Sequence, residues 1–535
     1  MPSTESDSKT SFRSKFPAID WALVVLFSIY LIAVVTMWWA IHNRTGEISY
    51  TLDDSYIHGT VAKNLAANGT FGIVPGEFSA ASSSPLWTLM LGVIFFVTGP
   101  QSWIAAALAT LFGGLTVERS NSLLKSVGVG PVVRVVVVAM ALAYAPILPI
   151  VSTGMEHTFQ AWALLGLFCC LIDISRGLKK PGQIFLWALL AAGARYESLF
   201  ALPPLLVWLA LRRKWSSAFE LGLGMAVPVL GFALYSVLHG GYALPYSVML
   251  KGNLAGAFKI KAFRLAVETQ YIFIVMLFLS AAALVSIIRR KRHPENLAWL
   301  PISGMVMMLI HLQLAQLGWF YRYEAYLIIL GLVSAATFLA PLGHSLRGRP
   351  FVLRMTVYIL LAFATLPLVW RAKTGSSEII RAAGNIHDQQ RQMSEVARRL
   401  GKNARVAVND LGAVSFFSDA LVLDLWGLGD NKIGRAKVNR VFGAETLKTR
   451  LEETRTDFVI CYPYLFMGSE HLPTTLIPVA TWVLGENLIC GGDTVVFYGT
   501  TPEAAAKLTA TLEAYRSETV PNPQSTNRMY PASPP

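Results

Sequence analysis

WALVVLFSIYLIAVVTMWWA, residues 21–40, is the natural place to start reading this chain. It carries no charged side chain, and about 20 residues at a rise of 1.5 Å each is what a helix needs to cross the hydrocarbon of a bilayer. Lys9, Arg13 and Lys15 precede it. Positive charge beside an apolar span marks the cytoplasmic side, so residues 1–19 are expected to be a cytoplasmic tail. The run is too long for the core of a cleaved signal and lacks a small-residue cleavage site, which makes it a retained anchor. The rest of the chain agrees: 54% of its 535 residues are hydrophobic and only 14% charged, with a mean hydropathy of +0.49. Such a chain is solvated largely by lipid, and the usual relation between length and domain number does not hold for it.

Further apolar runs centre near residues 100, 141, 166, 188, 205, 228, 278, 307, 332 and 361, for about eleven crossings in all. An odd number puts the two ends on opposite sides. Basic clusters at Arg176 to Lys180, Arg212 to Lys214, Arg289 to Arg292 and Arg347 to Arg349 then all fall inside. The net charge of +13 is thus a signal of topology, and no nucleic-acid partner is expected. Two stretches fit the count poorly. Leu86 to Leu115 is long for one helix and broken at Gly99-Pro100; Trp187 to Leu211 is short for two and interrupted by Arg195 and Glu197. A re-entrant or broken pair of helices would suit the second.

The expected fold is therefore a polytopic α-helical membrane protein, with a transmembrane module over residues 20–370 and a first outer loop over 42–85. Beyond Trp370 the composition becomes that of a soluble domain, here extracytoplasmic, over residues 371–519. A helical pattern at Glu378 to Leu400 precedes strand patterns at Arg405 to Val408, Ala420 to Leu425, Asp457 to Tyr462 and Thr494 to Tyr498, which describes a small α/β layer. Residues 520–535, rich in Pro, Ser and Asn, are expected to be disordered. Cys461 and Cys490 lie in this domain, where a disulfide is permitted though not required. Cys169 and Cys170 sit in an apolar run as packing residues.

This topology gathers Asp53, Asp54, Glu77, Glu156, His157, Arg195, Glu197, Lys251, Arg322 and Glu324 in or beside the outer loops. Ionisable groups at a membrane boundary are costly unless paired or wet, so their concentration on one side points to a site. The first outer loop carries the strongest signal, Leu52-Asp53-Asp54-Ser55-Tyr56-Ile57. Tyr56, Ile57, Val61 and Leu65 follow at helical spacing, so the segment can lie along the membrane surface with its two aspartates at the N-terminal end. An ordinary N-cap would explain one Asp; the adjacent pair suggests chemistry.

Asp53-Asp54-x-x-Ile57, then Asn64-Leu65, Gly69, Gly76-Glu77 and Ser84-Pro85-Leu86-Trp87 resembles the first loop of bacterial membrane-embedded glycosyltransferases of the GT-C class. It is most similar to the terminal arabinofuranosyltransferases of mycobacterial cell walls. The resemblance implies a multi-pass protein of the bacterial inner membrane that uses a polyprenyl-phosphate sugar donor and a cell-envelope glycan acceptor. No cofactor is expected; no Cys or His constellation has zinc spacing, and the metal requirement of the aspartates stays open. Thr60 stands where the arabinosyl relatives usually carry Arg, and an extra residue lies between Gly69 and Gly76, which leaves the donor sugar open. Thr153-Gly154-Met155-Glu156, Arg195-Tyr196-Glu197, Leu244-Pro245-Tyr246-Ser247 with Lys251, and Arg322-Tyr323 also look like segments of the family.

The chemistry suits these residue types. A sugar on polyprenyl phosphate already has a good leaving group, because the second pKa of the released phosphate is about 6. What remains is a carboxylate to take the acceptor's proton and cations to hold the departing phosphate. Asp53 and Asp54 are the candidates for the base, Asp53 preferred by analogy. His157, Arg195, Lys251 and Arg322 are candidates for the phosphate, with Glu197 beside Arg195 in the substrate-binding set. Each has a plainer alternative: Arg195 and Glu197 as a pair that tolerates a helix break, Arg322 with Glu324 flanking an aromatic belt, Lys251 as a solvated loop residue, His157 as a cap. In the tail, Asp410, Asp424 and Asp430 follow predicted strands, where turn chemistry competes with a site. Two rival functions share these features: a transporter or flippase of lipid-linked sugars, and a GT-C enzyme with a protein or lipid A acceptor.

Overall fold

The computed structural model describes residues 19–178, 180–251, 270–288, 297–346, 348–463, 472–518 and 527–531. The basic cluster Arg289 to Arg292 lies outside the described residues, as does most of the N-terminal tail.

The first apolar run forms α1 (Trp21–Thr45). Asp20, at its start, accepts a hydrogen bond from Arg134 at 2.8 Å and pairs with Lys125 at 3.0 Å. Lys125 lies in the last turn of one later helix and Arg134 in the first turn of the next, so three helix ends meet there. At the other end of the bundle α2 (Asp54–Asn68) and α3 (Pro85–Thr98) pack side by side. The stretch Leu86 to Leu115 is broken at Gly99-Pro100, as its length suggests: α3 ends there and a separate α4 (Trp103–Ser126) follows. Both ends of α3 remain at this second end of the bundle. Ser82, just before it, bonds His58 on α2, and the carbonyl of Ser102, just after it, accepts from the Tyr50 hydroxyl.

The chain continues through α5 (Pro131–Tyr144), α6 (Ile147–Ser152) and α7 (His157–Ser175). Most residues of α7 are buried inside the protein and most of those of α1 are not, so α7 is the central post. Trp187 to Leu211 is broken, as its charges suggest: α8 (Gln183–Ala194) ends at Arg195, a 3-10 turn covers Tyr196–Ala201, and α9 (Leu202–Leu211) runs on. Then come α10 (Trp215–Leu238), α11 (Tyr246–Lys251), α12 (Gln270–Ile288), α13 (Trp299–Leu314), α14 (Ala325–Leu339) and the short α15 (Leu342–Leu346). Five helices among the described residues are long and apolar enough to cross a membrane, and six shorter ones are apolar.

The boundary expected at residue 370 falls inside a single helix. α16 (Phe351–Ile386), a π-helical segment at His387–Arg391 and α17 (Gln392–Arg399) run without interruption from the apolar bundle into the tail. The tail then forms β1 (Arg405–Val408), α18 (Gly412–Phe417), β2 (Leu421–Asp424), α19 (Asn431–Val438), α20 (Ala444–Glu453), β3 (Phe458–Cys461), β4 (Ile477–Leu484), β5 (Thr494–Gly499), α21 (Pro502–Glu518) and β6 (Asn527–Pro531). The sheet order is β2-β1-β3-β5-β4-β6. β1 is parallel to β2 and β3, whereas β5, β4 and β6 join antiparallel. Two of these strands depart from expectation. β4 has a register shift between Pro478 and Ala480, which blurs its alternation. Residues 527–531, expected to be disordered, instead pair along β4 as an edge strand. Cys461 and Cys490 are both buried free thiols.

Candidate active site

Asp53 and Asp54 stand where the chain enters α2. Ser55 fastens this corner by donating to the Thr153 carbonyl, and Thr51 N–H donates to the Ser152 carbonyl at 3.3 Å. Successive helical residues point about 100° apart, and the two carboxylates diverge accordingly. Asp53 turns to the tail, where its oxygens accept from the N–H groups of Gly412 (2.7 Å) and Ala413 (2.8 Å) at the start of α18. Burial, with Asp410 close by, pushes the Asp53 carboxyl up to about 8 against the pull of those two donors. Asp54 turns instead into a cavity of about 230 Å³ at the end of the bundle.

In that cavity Asp54 Oδ2 lies 2.6 Å from Arg322 Nη2. The Arg322 guanidinium sits 4.9 Å from the Tyr323 ring centre, and its Nη2 also donates to the Tyr323 hydroxyl at 3.1 Å. A second buried guanidinium, Arg195, is gripped by Glu156 at 2.6 Å and by Glu197 at 2.7 Å. His58 places Nε2 3.4 Å from Glu156 and shares a hydrogen bond with Ser82 through Nδ1 at 2.9 Å. Burial lowers the His58 pKa, which favours the neutral ring. Ile57, Leu199, Phe200 and Leu314 supply apolar wall. The site thus sets two carboxylates, Asp54 and Glu197, and two guanidiniums, Arg195 and Arg322, on the cavity wall in an environment that strengthens their fields.

The turn that delivers Arg322 is strained. Gly318, Trp319, Phe320 and Tyr321 all have positive φ, of 77°, 41°, 57° and 65°. Left-handed backbone costs a non-glycine residue on the order of 1–3 kcal/mol when the surroundings hold it there. Here Glu324 is the clamp, accepting from Gly318 N–H (2.9 Å), Arg371 (2.5 Å) and Tyr271 (3.0 Å), while Arg371 also donates to the Tyr321 carbonyl (3.1 Å). Arg322 and Glu324 therefore do not flank an interface together: one enters the cavity and the other holds the turn.

Of the residues singled out from sequence, Asp54, Arg195, Glu197 and Arg322 line the cavity. Asp53 and His157 do not. His157 is buried at the start of α7, with neither ring nitrogen hydrogen-bonded among the described residues. The Lys251 side chain lies outside the described residues, although Ser247 and Val248 of its helix line the cavity. His58 was missed, yet its position four residues after Asp54 on a helix places both on one face. Leu428, the tail's contribution to the wall, gave no local signal. Among the described residues no group of three His, Cys, Asp or Glu is placed to hold a metal.

Structures with this architecture are known. ArnT from Cupriavidus metallidurans, bound to undecaprenyl phosphate, superposes with a TM-score of 0.53 at 13% identity, over 91% of this chain and 99% of ArnT. The archaeal oligosaccharyltransferase AglB from Archaeoglobus fulgidus, in complex with an inhibitory peptide and a dolichol-phosphate, gives 0.50 at 12% identity, over 90% and 74%. The chain has the fold of the GT-C glycosyltransferases. A family described as a domain of unknown function, DUF8728, matches residues 382–498. No curated protein matches the chain in sequence.

Proposed function

We propose that this protein is a glycosyltransferase that moves a sugar from a polyprenyl-phosphate donor to a cell-envelope acceptor, on the outer face of a bacterial inner membrane. The observation that carries the reading is the Asp54–Arg322 pair, 2.6 Å apart and facing a cavity at one end of an apolar bundle. Asp54, and not its neighbour, is the base: Asp53 is occupied by two backbone donors of the tail. The donor phosphate draws Arg322 to itself, with Arg195 as second cation, and frees a carboxylate oxygen of Asp54. That oxygen takes the acceptor hydroxyl's proton as the acceptor oxygen bonds the anomeric carbon and the bond from that carbon to the phosphate oxygen breaks. Displacement in one step inverts the anomeric centre. Arabinofuranose is the first donor sugar to try, on the resemblance of the first loop, and a wall glycan the first acceptor.

Purified protein in nanodiscs, given decaprenyl-phospho-arabinofuranose and a cell-envelope glycan extract, should release decaprenyl phosphate and lose that activity in Asp54→Asn. If no lipid-phosphate sugar binds or reacts, while the Asp54→Asn protein still functions in cells, the transferase reading fails and movement of lipid-linked sugars across the membrane replaces it.

A further inference from the structure

The loop from β2 to α19 is built as a fixed arch. Asp424, which closes β2, accepts from the N–H groups of Trp426 and Gly429, both at 2.7 Å. Asp430 accepts from Lys432 and Ile433 N–H at 3.0 and 2.8 Å and pairs with Arg450 at 2.7 Å. The two carboxylates that follow a strand are turn chemistry here, and they set the shape of what lies between them. The arch is fastened to the helical module on two sides. Asn431 Nδ2 donates to the Phe78 carbonyl in the first loop at 2.8 Å, and the Tyr246 hydroxyl donates to the Asn431 carbonyl at 3.1 Å. Contact is close enough to demand glycine: a Cβ at Gly429 would lie 2.8 Å from Ile73, and one at Gly434 2.7 Å from the Tyr246 ring. At the crown stands Leu428, only 4% exposed, and the single tail residue among those described that lines the Asp54 cavity.

We infer that Leu428 is a specificity-determining residue, the apolar seal that keeps water from competing with the acceptor hydroxyl. The inference rests on the transferase reading above. A reactive glycosyl donor held beside a base will react with whatever oxygen reaches its anomeric carbon, and closing the site is how such a side reaction is prevented. With the seal cut back, water takes the acceptor's place. Its oxygen bonds the anomeric carbon, Asp54 receives its proton, the bond from carbon to phosphate oxygen breaks, and free sugar and polyprenyl phosphate leave.

The test measures free sugar, transferred sugar and decaprenyl phosphate separately, with decaprenyl-phospho-arabinofuranose as donor, with and without the glycan extract. Leu428→Ala should raise free sugar per decaprenyl phosphate released by roughly tenfold, the scale of discrimination that a few apolar atoms in a pocket supply. Leu428→Met, which conserves volume, should restore coupling. Asn431→Ala, which loosens the arch and leaves the Leu428 side chain in place, should uncouple in the same direction. If wild type transfers sugar but neither Leu428→Ala nor Asn431→Ala hydrolyses more donor than wild type, the seal is overturned and the transferase reading stands. If wild type turns over no lipid-phosphate sugar, both fall.

Discussion

A helix turns by about 100° per residue, and that rotation separates the two aspartates that open α2 into different environments. Asp54→Asn should lower sugar transfer by roughly 10²–10⁴-fold, the usual worth of a positioned base, while donor affinity persists; single-turnover transfer and donor binding measured side by side will tell. Asp53→Asn should leave the chemical step largely intact and loosen the tail. Its acidity also has a pH signature. Burial and Asp410 raise the Asp53 pKa from 3.8 to about 8 in the folded protein, so the fold holds a proton that the unfolded chain releases. That contribution to stability is complete below 3.8 and is lost as pH rises through about 8. The thermal midpoint in nanodiscs should therefore fall from pH 5.5 to 8.5, with a shallower slope in Asp53→Asn. The sequence singled out the pair, and the resemblance of the first loop put Asp53 ahead of Asp54. The contacts behind the opposite proposal come from Gly412 and Ala413, which reach Asp53 from some 360 residues away and which no local pattern reports.

Short elements carry as much of the site as the long helices do. The turn Gly318 to Tyr321 aims Arg322 into the cavity, and Glu324 holds that turn from a fully buried position. Glu324→Gln should cost roughly 3 kcal/mol, because it leaves Arg371 buried beside a neutral partner. It should also raise donor KM through the altered pose of Arg322; chemical denaturation and steady-state kinetics on one preparation check both. The conspicuous aromatic run Trp319 to Tyr321 was legible, but not its left-handed path, since no glycine marks positions 319–321. The break at Arg195 was legible for the opposite reason. Two opposite charges inside an apolar run state openly that the backbone there must be served by something other than lipid. The break at Gly99-Pro100 was legible as well, but not the number of crossings there, because α3 is as apolar as a crossing and at 14 residues short for one.

On the scale of the whole molecule, apolar periodicity and flanking charge sufficed for the class of fold, whereas the docking of the tail onto the bundle depends on contacts that no local pattern reports. Arg44 on α1 pairs with Asp388 at 2.7 Å, Arg391 reaches Glu47 at 3.0 Å, and Asp53 grips α18. The exposed face of α16, with Val352, Ile359, Leu360 and Phe363, suits acyl chains. Phe363→Arg should oppose insertion by about 2.5–3.5 kcal/mol near the helix centre, seen as less protein in the membrane fraction at equal synthesis.

The unbroken helix from Phe351 to Arg399, 49 residues long, makes the two halves of the protein behave like a bolt and its nut. Adding one alanine between Gly375 and Glu378 would turn everything beyond it by about 100° and advance it by about 1.5 Å, and Gly412 would leave the reach of Asp53. Solvent-exposed positions there tolerate a change of side chain but not a change of count. The wider π turn at His387–Arg391 accommodates one residue more than an α turn would.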